Sequence, residues 1–116
     1  MLPYTQTPTT TIACLVMHQS NDGAFKPSKA FYTQCHVSDI TQFSVETLVT
    51  RHFAGPKTEA LAATLVALAT FQTKYPELEA KWRKMAEKAR QWCLEVEKQK
   101  TDELLDGIRT ILRESL

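Results

Sequence analysis

Two cysteines and two histidines in the first third of the chain are the residue types that a closed zinc site uses. Cys14 and His18 lie four residues apart, and a predicted hairpin would place Cys35 across from them. Cys35 and His36 are neighbours, so on a strand their side chains point to opposite faces. The close cysteine pairs typical of zinc motifs are also missing. We therefore predict no metal site and interpret both cysteines as small buried side chains.

The same residues raise the question of nucleophilic catalysis, because a cysteine beside a histidine can act as an activated thiolate. The pairs to consider are Cys35 with His36 and Cys14 with His52. Neither cysteine lies in a glycine-rich turn or at an evident helix start, where the thiol pKa would fall. The acidic residues of the first half show no paired spacing for acid–base work. We predict that the protein is not an enzyme and that it carries no cofactor.

The segment 81–90 carries five basic residues and one acidic residue. Lys81, Lys84 and Lys88 fall on one side of a predicted helix, opposite its apolar stripe. Together with Arg90 they could contact phosphates without sequence preference, which makes nucleic-acid binding the alternative function. The competing interpretation is a solvated helix face, because the following stretch is acidic and the net charge of the chain is only +1.

Large apolar residues recur on the other side of the same predicted helix. Its stripe includes Trp82, Met85, Ala89 and Trp92, and tryptophan and methionine are common in interface cores. A small hairpin could hardly cover this stripe in a monomer. We therefore predict a protein interface, most simply in a twofold homodimer, while an ordinary core position stays the open alternative. Phe25, in a predicted loop, is a further candidate contact residue.

These residues must be positioned by the elements of the first half, which favour strands. Thr9–His18 is β-branched and then continuously apolar, as in a covered strand. Lys29–Val37 alternates apolar and polar residues, as in a half-buried strand. Turn residues in Gln19–Ser28 connect the two into an antiparallel hairpin. Met1–Thr10, with two prolines, reads as an extended arm.

The segment Ser38–Phe53 is ambiguous. A helix that starts at Ser38-Asp39 is favoured, and a third strand over Phe43–Val49 is the alternative. The helix would direct four side chains inward: Ile40, Phe43, Thr47 and Leu48.

The second half reads almost entirely as helix. Thr58 can cap a helix over 59–74 that is apolar on nearly every side and therefore buried. Tyr75-Pro76 ends it, because the residue before proline avoids the helical region. A second helix of about 76–99 follows. The apolar register then slips at Thr101-Asp102, which predicts a break and a short helix over 102–115.

Together these elements predict an α+β fold, with an N-terminal antiparallel β-hairpin packed on three to four C-terminal helices. The 116 residues fit a single domain, divided into an arm (1–10), a hairpin part (11–55) and a helical part (56–116). No stretch reaches the ~20 apolar residues of a membrane span, so no membrane partner is expected. Three cysteines make a poor disulfide framework, which favours the cytoplasm. The predicted function is a small protein-interaction module that acts as an adaptor, regulator or inhibitor of another protein.

Overall fold

The computed structural model describes residues 8–53, 55–97 and 101–114, and these residues are 78% helix and 2% strand. No sheet occurs in these ranges, so the predicted α+β fold with an N-terminal β-hairpin is wrong. The helices, in chain order, are α1 (Pro8–Val16), α2 (Lys29–Gln34), α3 (Asp39–His52), α4 (Thr58–Lys74), α5 (Glu79–Val96) and α6 (Thr101–Glu114). A 3-10 turn, Pro76–Leu78, joins α4 to α5.

The first predicted strand is helix α1. Its buried residues are Thr11, Ile12 and Leu15, at the spacing of one helix face. A short apolar run looks the same in a covered strand and in a packed helix, so its pattern could not distinguish them. The predicted extended arm is also wrong at residues 8–10, which belong to α1, and its residues 1–7 lie outside the described ranges.

The second predicted strand is helix α2, and its apparent alternation was coincidental. Phe31, Tyr32 and Cys35 are buried, whereas Thr33, which a strand would bury, is exposed. The Ser28 hydroxyl starts the helix by accepting a hydrogen bond from the Phe31 backbone nitrogen at 3.1 Å. The segment is therefore a capped helix, although its side-chain pattern suggested a strand.

The connection between α1 and α2 does turn the chain back, but it forms a single isolated antiparallel bridge, Gln19 with Phe25. Hydrogen bonds fix the loop to helices α4 and α5. The Phe25 backbone nitrogen donates to Thr64 Oγ1 at 2.9 Å, and the Gln19 side-chain amide donates to the Met85 carbonyl at 3.1 Å. These long-range hydrogen bonds hold the segment in place, as strand pairing was expected to do.

The favoured helix over Ser38–Phe53 is confirmed, and Ser38 is its N-cap: its hydroxyl accepts from the Thr41 backbone nitrogen at 3.2 Å. The prediction that Ile40 and Phe43 point inward is wrong, because the core-facing residues are Thr41, Val45 and Val49, whereas Leu48 does pack inward as predicted. Leu48 packs beside them against α6. A side chain at Gly107 of α6 would approach Leu48 Cδ2 to 2.9 Å, so the two helices lie close together.

Helix α4 occupies the centre of the molecule, with α3, α5 and α6 all packed on it. Residues 61–71 are buried without interruption, as predicted from its apolar character on every side. Thr58 does not cap this helix as expected but is its first residue, and its hydroxyl accepts from the Gly55 backbone nitrogen at 2.9 Å. The predicted end at Tyr75-Pro76 is confirmed.

The last two helices also follow the prediction. Helix α5 ends at Val96 and α6 begins at Thr101, where the apolar register slips. The helix predicted over about 76–99 is shorter in the structure: its first three residues form the 3-10 turn, Glu97 is already extended, and 98–99 lie outside the described residues. Within those residues, no helix combines the length and the apolar character needed to span a bilayer.

Candidate functional site

The apolar stripe of α5 packs inside the protein's own core. Trp82 and Trp92 are 7% and 6% exposed, and Ala89 is fully buried. The Trp82 ring stacks on Phe71 of α4 with a centroid distance of 5.4 Å, and its Nε1 donates to the Tyr75 carbonyl at 2.7 Å. In the folded chain these side chains are buried, and α4 covers Trp82, so the open alternative of an ordinary core position describes them.

The other candidate contact residues on this side of the molecule are also largely covered. Met85 is half-buried and lines a groove between α1 and α5. Phe25 is fully buried, with its ring 5.6 Å from Phe31 and 6.4 Å from Phe71. The loop therefore folds this phenylalanine under itself and does not present it to a partner.

The basic residues of α5 are exposed, and they fall into two groups: those that form an ion pair and those that do not. Arg83 pairs with Glu79 at 2.8 Å, and Arg90 pairs with Asp102 of α6 at 2.6 Å. No such ion pair is formed by the other three basic side chains within the described ranges: Lys81, Lys84 and Lys88.

Two of these lysines lie next to other segments of the chain. Lys81 borders the same groove as Met85, and the α1–α2 loop packs on the backbone of Lys88. Arg90, which the sequence grouped with them, is held by Asp102. The basic surface available to a phosphate backbone therefore consists of these three exposed lysines.

The buried cysteines are poor nucleophiles. Burial raises the pKa of the Cys35 thiol to about 12, and it raises the pKa of the Cys93 thiol likewise to about 12. Thiolate is the reactive form, so both side chains are almost wholly in the unreactive thiol form at neutral pH. Among the described residues, no group of three or more histidine, cysteine, aspartate or glutamate side chains is placed to hold a metal ion.

The outer face of α3 is the surface that the sequence analysis missed. Ile40 is 81% exposed and Phe43 is 70% exposed, although both were expected to point inward. Thr47, Thr50 and Arg51 continue the same face toward the end of the helix. Two shallow depressions adjoin the Phe43 ring, one of about 360 Å³ along α3 and one of about 310 Å³ between α3 and Ile111 of α6. We call this surface the α3 outer face.

This orientation was present in the sequence as a second pattern. Thr41, Val45 and Val49 recur every four residues, as on one helix face, and they are the residues that the structure buries. Ile40 and Phe43 are larger and more apolar, so hydrophobicity alone favoured the opposite face. Small and β-branched side chains fit against the neighbouring helices, where space is limited.

Comparison with known proteins adds no functional information: no family model, no curated protein and no solved structure matches this chain. The α3 outer face therefore has to be interpreted from its own chemistry. It combines two exposed apolar side chains with threonine methyl groups, one arginine and one glutamate, Glu46.

Proposed function

We propose that this protein is a small non-enzymatic protein-interaction module and that it binds its partner through the α3 outer face. The observation that carries the proposal is the exposure of Ile40 and Phe43 on one side of one helix. Exposed apolar side chains of this size, grouped beside a depression, are typical of protein interfaces. Covering them removes apolar surface from water, which favours association.

The chemistry of the buried side chains supports a non-enzymatic function. The raised pKa values of Cys35 and Cys93 leave these thiols unreactive. The depressions at the surface are shallow, and that on α3 is lined by Phe43, Glu46, Thr47, Thr50 and Arg51, without a histidine or cysteine. Such a surface suits a protein partner better than a small substrate.

The proposal moves the interface from α5 to α3. Self-association through Trp82 and Trp92 would require these side chains to leave the core, where both are already buried. We propose a cytoplasmic location for this module, because Cys14, Cys35 and Cys93 are all free thiols and a reducing compartment keeps them so.

The decisive experiment is capture of partners from a lysate of the source cell with tagged wild-type protein and with Phe43→Ser. We expect a stoichiometric protein partner that survives nuclease treatment and is lost in Phe43→Ser, because the variant removes one of the two large apolar side chains exposed on the face. Met17→Ser is the matched control, since Met17 is 83% exposed on another part of the surface. It should retain the partner.

Two results would overturn this function. One is partner binding that Phe43→Ser leaves unchanged. The other is nucleic acid that co-purifies with the chain, with every protein partner lost on nuclease treatment. The second result would favour the alternative of phosphate contacts by Lys81, Lys84 and Lys88, and a charge reversal at Lys84 should then abolish binding.

A further inference from the structure

We propose that the partner of the α3 outer face is a second copy of this chain, and that the two α3 helices pair antiparallel across a twofold axis between Phe43 and Thr47. This inference rests on the proposed function, because it names the partner of the same surface. It is argued from the size, hydrogen bonding and charge of the side chains along α3.

The side chains of the face are arranged so that an antiparallel copy fits. Its central residues follow each other at spacings of three, four and three, as in a seam between two helices: Ile40, Phe43, Thr47 and Thr50. The two large ones lie in the first half of α3 and the two small ones in the second half. Antiparallel pairing about this axis sets Phe43 opposite the partner subunit's Thr47, and Ile40 opposite the partner subunit's Thr50. A parallel pairing would instead set large against large.

Two hydroxyl groups of the face, those of Ser44 and Thr50, can be covered at little cost. The Thr50 hydroxyl donates to the Glu46 carbonyl at 2.7 Å, and the Ser44 hydroxyl donates to the Ile40 carbonyl at 3.2 Å. Both hydroxyls already have a partner within their own helix. A second helix laid over these two hydroxyls therefore leaves neither of them without a hydrogen-bond partner, which avoids that part of the penalty of burying polar side chains.

The charges at the two ends of α3 have opposite signs. Asp39 lies in the first turn, and Arg51 and His52 lie in the last turn. Antiparallel pairing brings the acidic end of each helix beside the basic end of the other, and it also brings opposite ends of the two helix dipoles together. Parallel pairing would place like charges side by side. The charge pattern therefore selects the same orientation as the side-chain sizes.

One residue opposes the arrangement and makes it testable. Glu46 lies beside Phe43 and Thr47 along the depression on α3, close to the proposed axis. In the dimer the Glu46 carboxylates of the two subunits would lie close together, and like charges repel each other. Removing this charge should therefore strengthen the dimer, a result that a partner of different sequence would not require.

Sedimentation equilibrium over a range of protein concentrations tests the pairing. We expect a concentration-dependent dimer, because a contact between two single helices is small and therefore weak. Phe43→Ser should raise its dissociation constant by about tenfold or more. Met17→Ser should leave the constant unchanged. Glu46→Gln should lower it by about twofold to fivefold.

Charge exchange tests the orientation. Arg51→Asp alone and Asp39→Arg alone should each weaken the dimer by about threefold to tenfold, because each sets like charges together. The double variant Asp39→Arg with Arg51→Asp should restore most of the lost affinity. Circular dichroism and the free energy of unfolding of each variant distinguish lost pairing from lost folding.

The outcomes separate this proposal from the one it rests on. A wild-type chain that stays monomeric at the highest concentrations overturns the pairing, and so does a dimer that Phe43→Ser or the charge exchange leaves unchanged. If the lysate experiment still yields a different protein whose binding depends on Phe43, the proposed function stands while the pairing fails.

Discussion

At the scale of single residues, the type of a side chain was a poor guide to its position. Trp82 and Phe43 are both large aromatic residues, and each was assigned to one face of a predicted helix. Trp82 was expected at an interface and lies in the core, whereas Phe43 was expected in the core and lies at the surface. The difference comes from the neighbouring helices, which offer a packing surface to one residue and not to the other.

Substitution of Trp82 tests this distinction. Trp82→Ala should lower the free energy of unfolding by about 3–5 kcal/mol, because it removes a buried ring stacked on Phe71 and leaves a cavity. Phe43→Ser should change it by no more than about 0.5 kcal/mol, since the Phe43 ring is mostly exposed. Urea denaturation measures both values. Equal effects of the two changes would contradict the assignment of Trp82 to the core and Phe43 to the surface.

Alkaline pH tests the burial of the thiols. The pKa of Cys93 is raised from 9.0 to about 12, chiefly because burial disfavours the thiolate. Between these values the unfolded chain loses a proton that the folded chain keeps, so the free energy of unfolding should fall as pH rises above 9. Below pH 9 the contribution of this thiol is constant.

Cys93→Ala separates this effect from that of other groups that titrate at high pH. Denaturation of wild type and variant between pH 8 and about pH 10.5 should show a less steep decline for the variant. The same slope in both proteins would mean that the Cys93 thiol is not protected in the folded state.

At the scale of elements, the α1–α2 loop shows how a segment without a sheet is held in place. Gly23 has a φ of +105°, a backbone region that glycine adopts readily. A side chain there would clash with the Lys88 carbonyl oxygen of α5. The glycine therefore allows both the turn and the close approach of the loop to the helix.

Gly23→Ala should destabilise the protein by about 2 kcal/mol or more, because it combines an unfavourable φ with a clash against backbone. Thermal unfolding followed by circular dichroism measures the loss. Asn21→Ala, at an exposed position of the same loop, is the control and should have little effect. A stable Gly23→Ala variant would mean that the loop does not pack on α5 as described.

The elements of the second half were predictable because they are long. Helices α4, α5 and α6 have 14 to 18 residues each, enough for several turns of a repeating apolar pattern. Their ends also carry local signals, such as Pro76 after α4. Helices α1 and α2 have nine and six residues, and over so few positions a helical and an extended pattern overlap.

At the scale of the whole molecule, the central position of α4 decides which surfaces stay exposed. Helices α3, α5 and α6 all pack on it, and the buried residues form one continuous cluster. The radius of gyration is 13.5 Å, close to the value of about 13 Å expected for a compact chain of this size. The fold therefore buries the tryptophans without help from a partner, and the α3 outer face remains uncovered.

The amino-acid sequence by itself determined the helical second half, the N-cap of α3 and the burial of α4 on every side, because these depend on patterns and caps within a few turns. Only the tertiary structure decided that α1 and α2 are helices, that Trp82 and Trp92 are core residues, and that Ile40 and Phe43 point outward. The physical reason is the same in each case. A short segment, or an amphipathic helix with two plausible faces, takes the state that its neighbours can pack against, and those neighbours are distant in the chain.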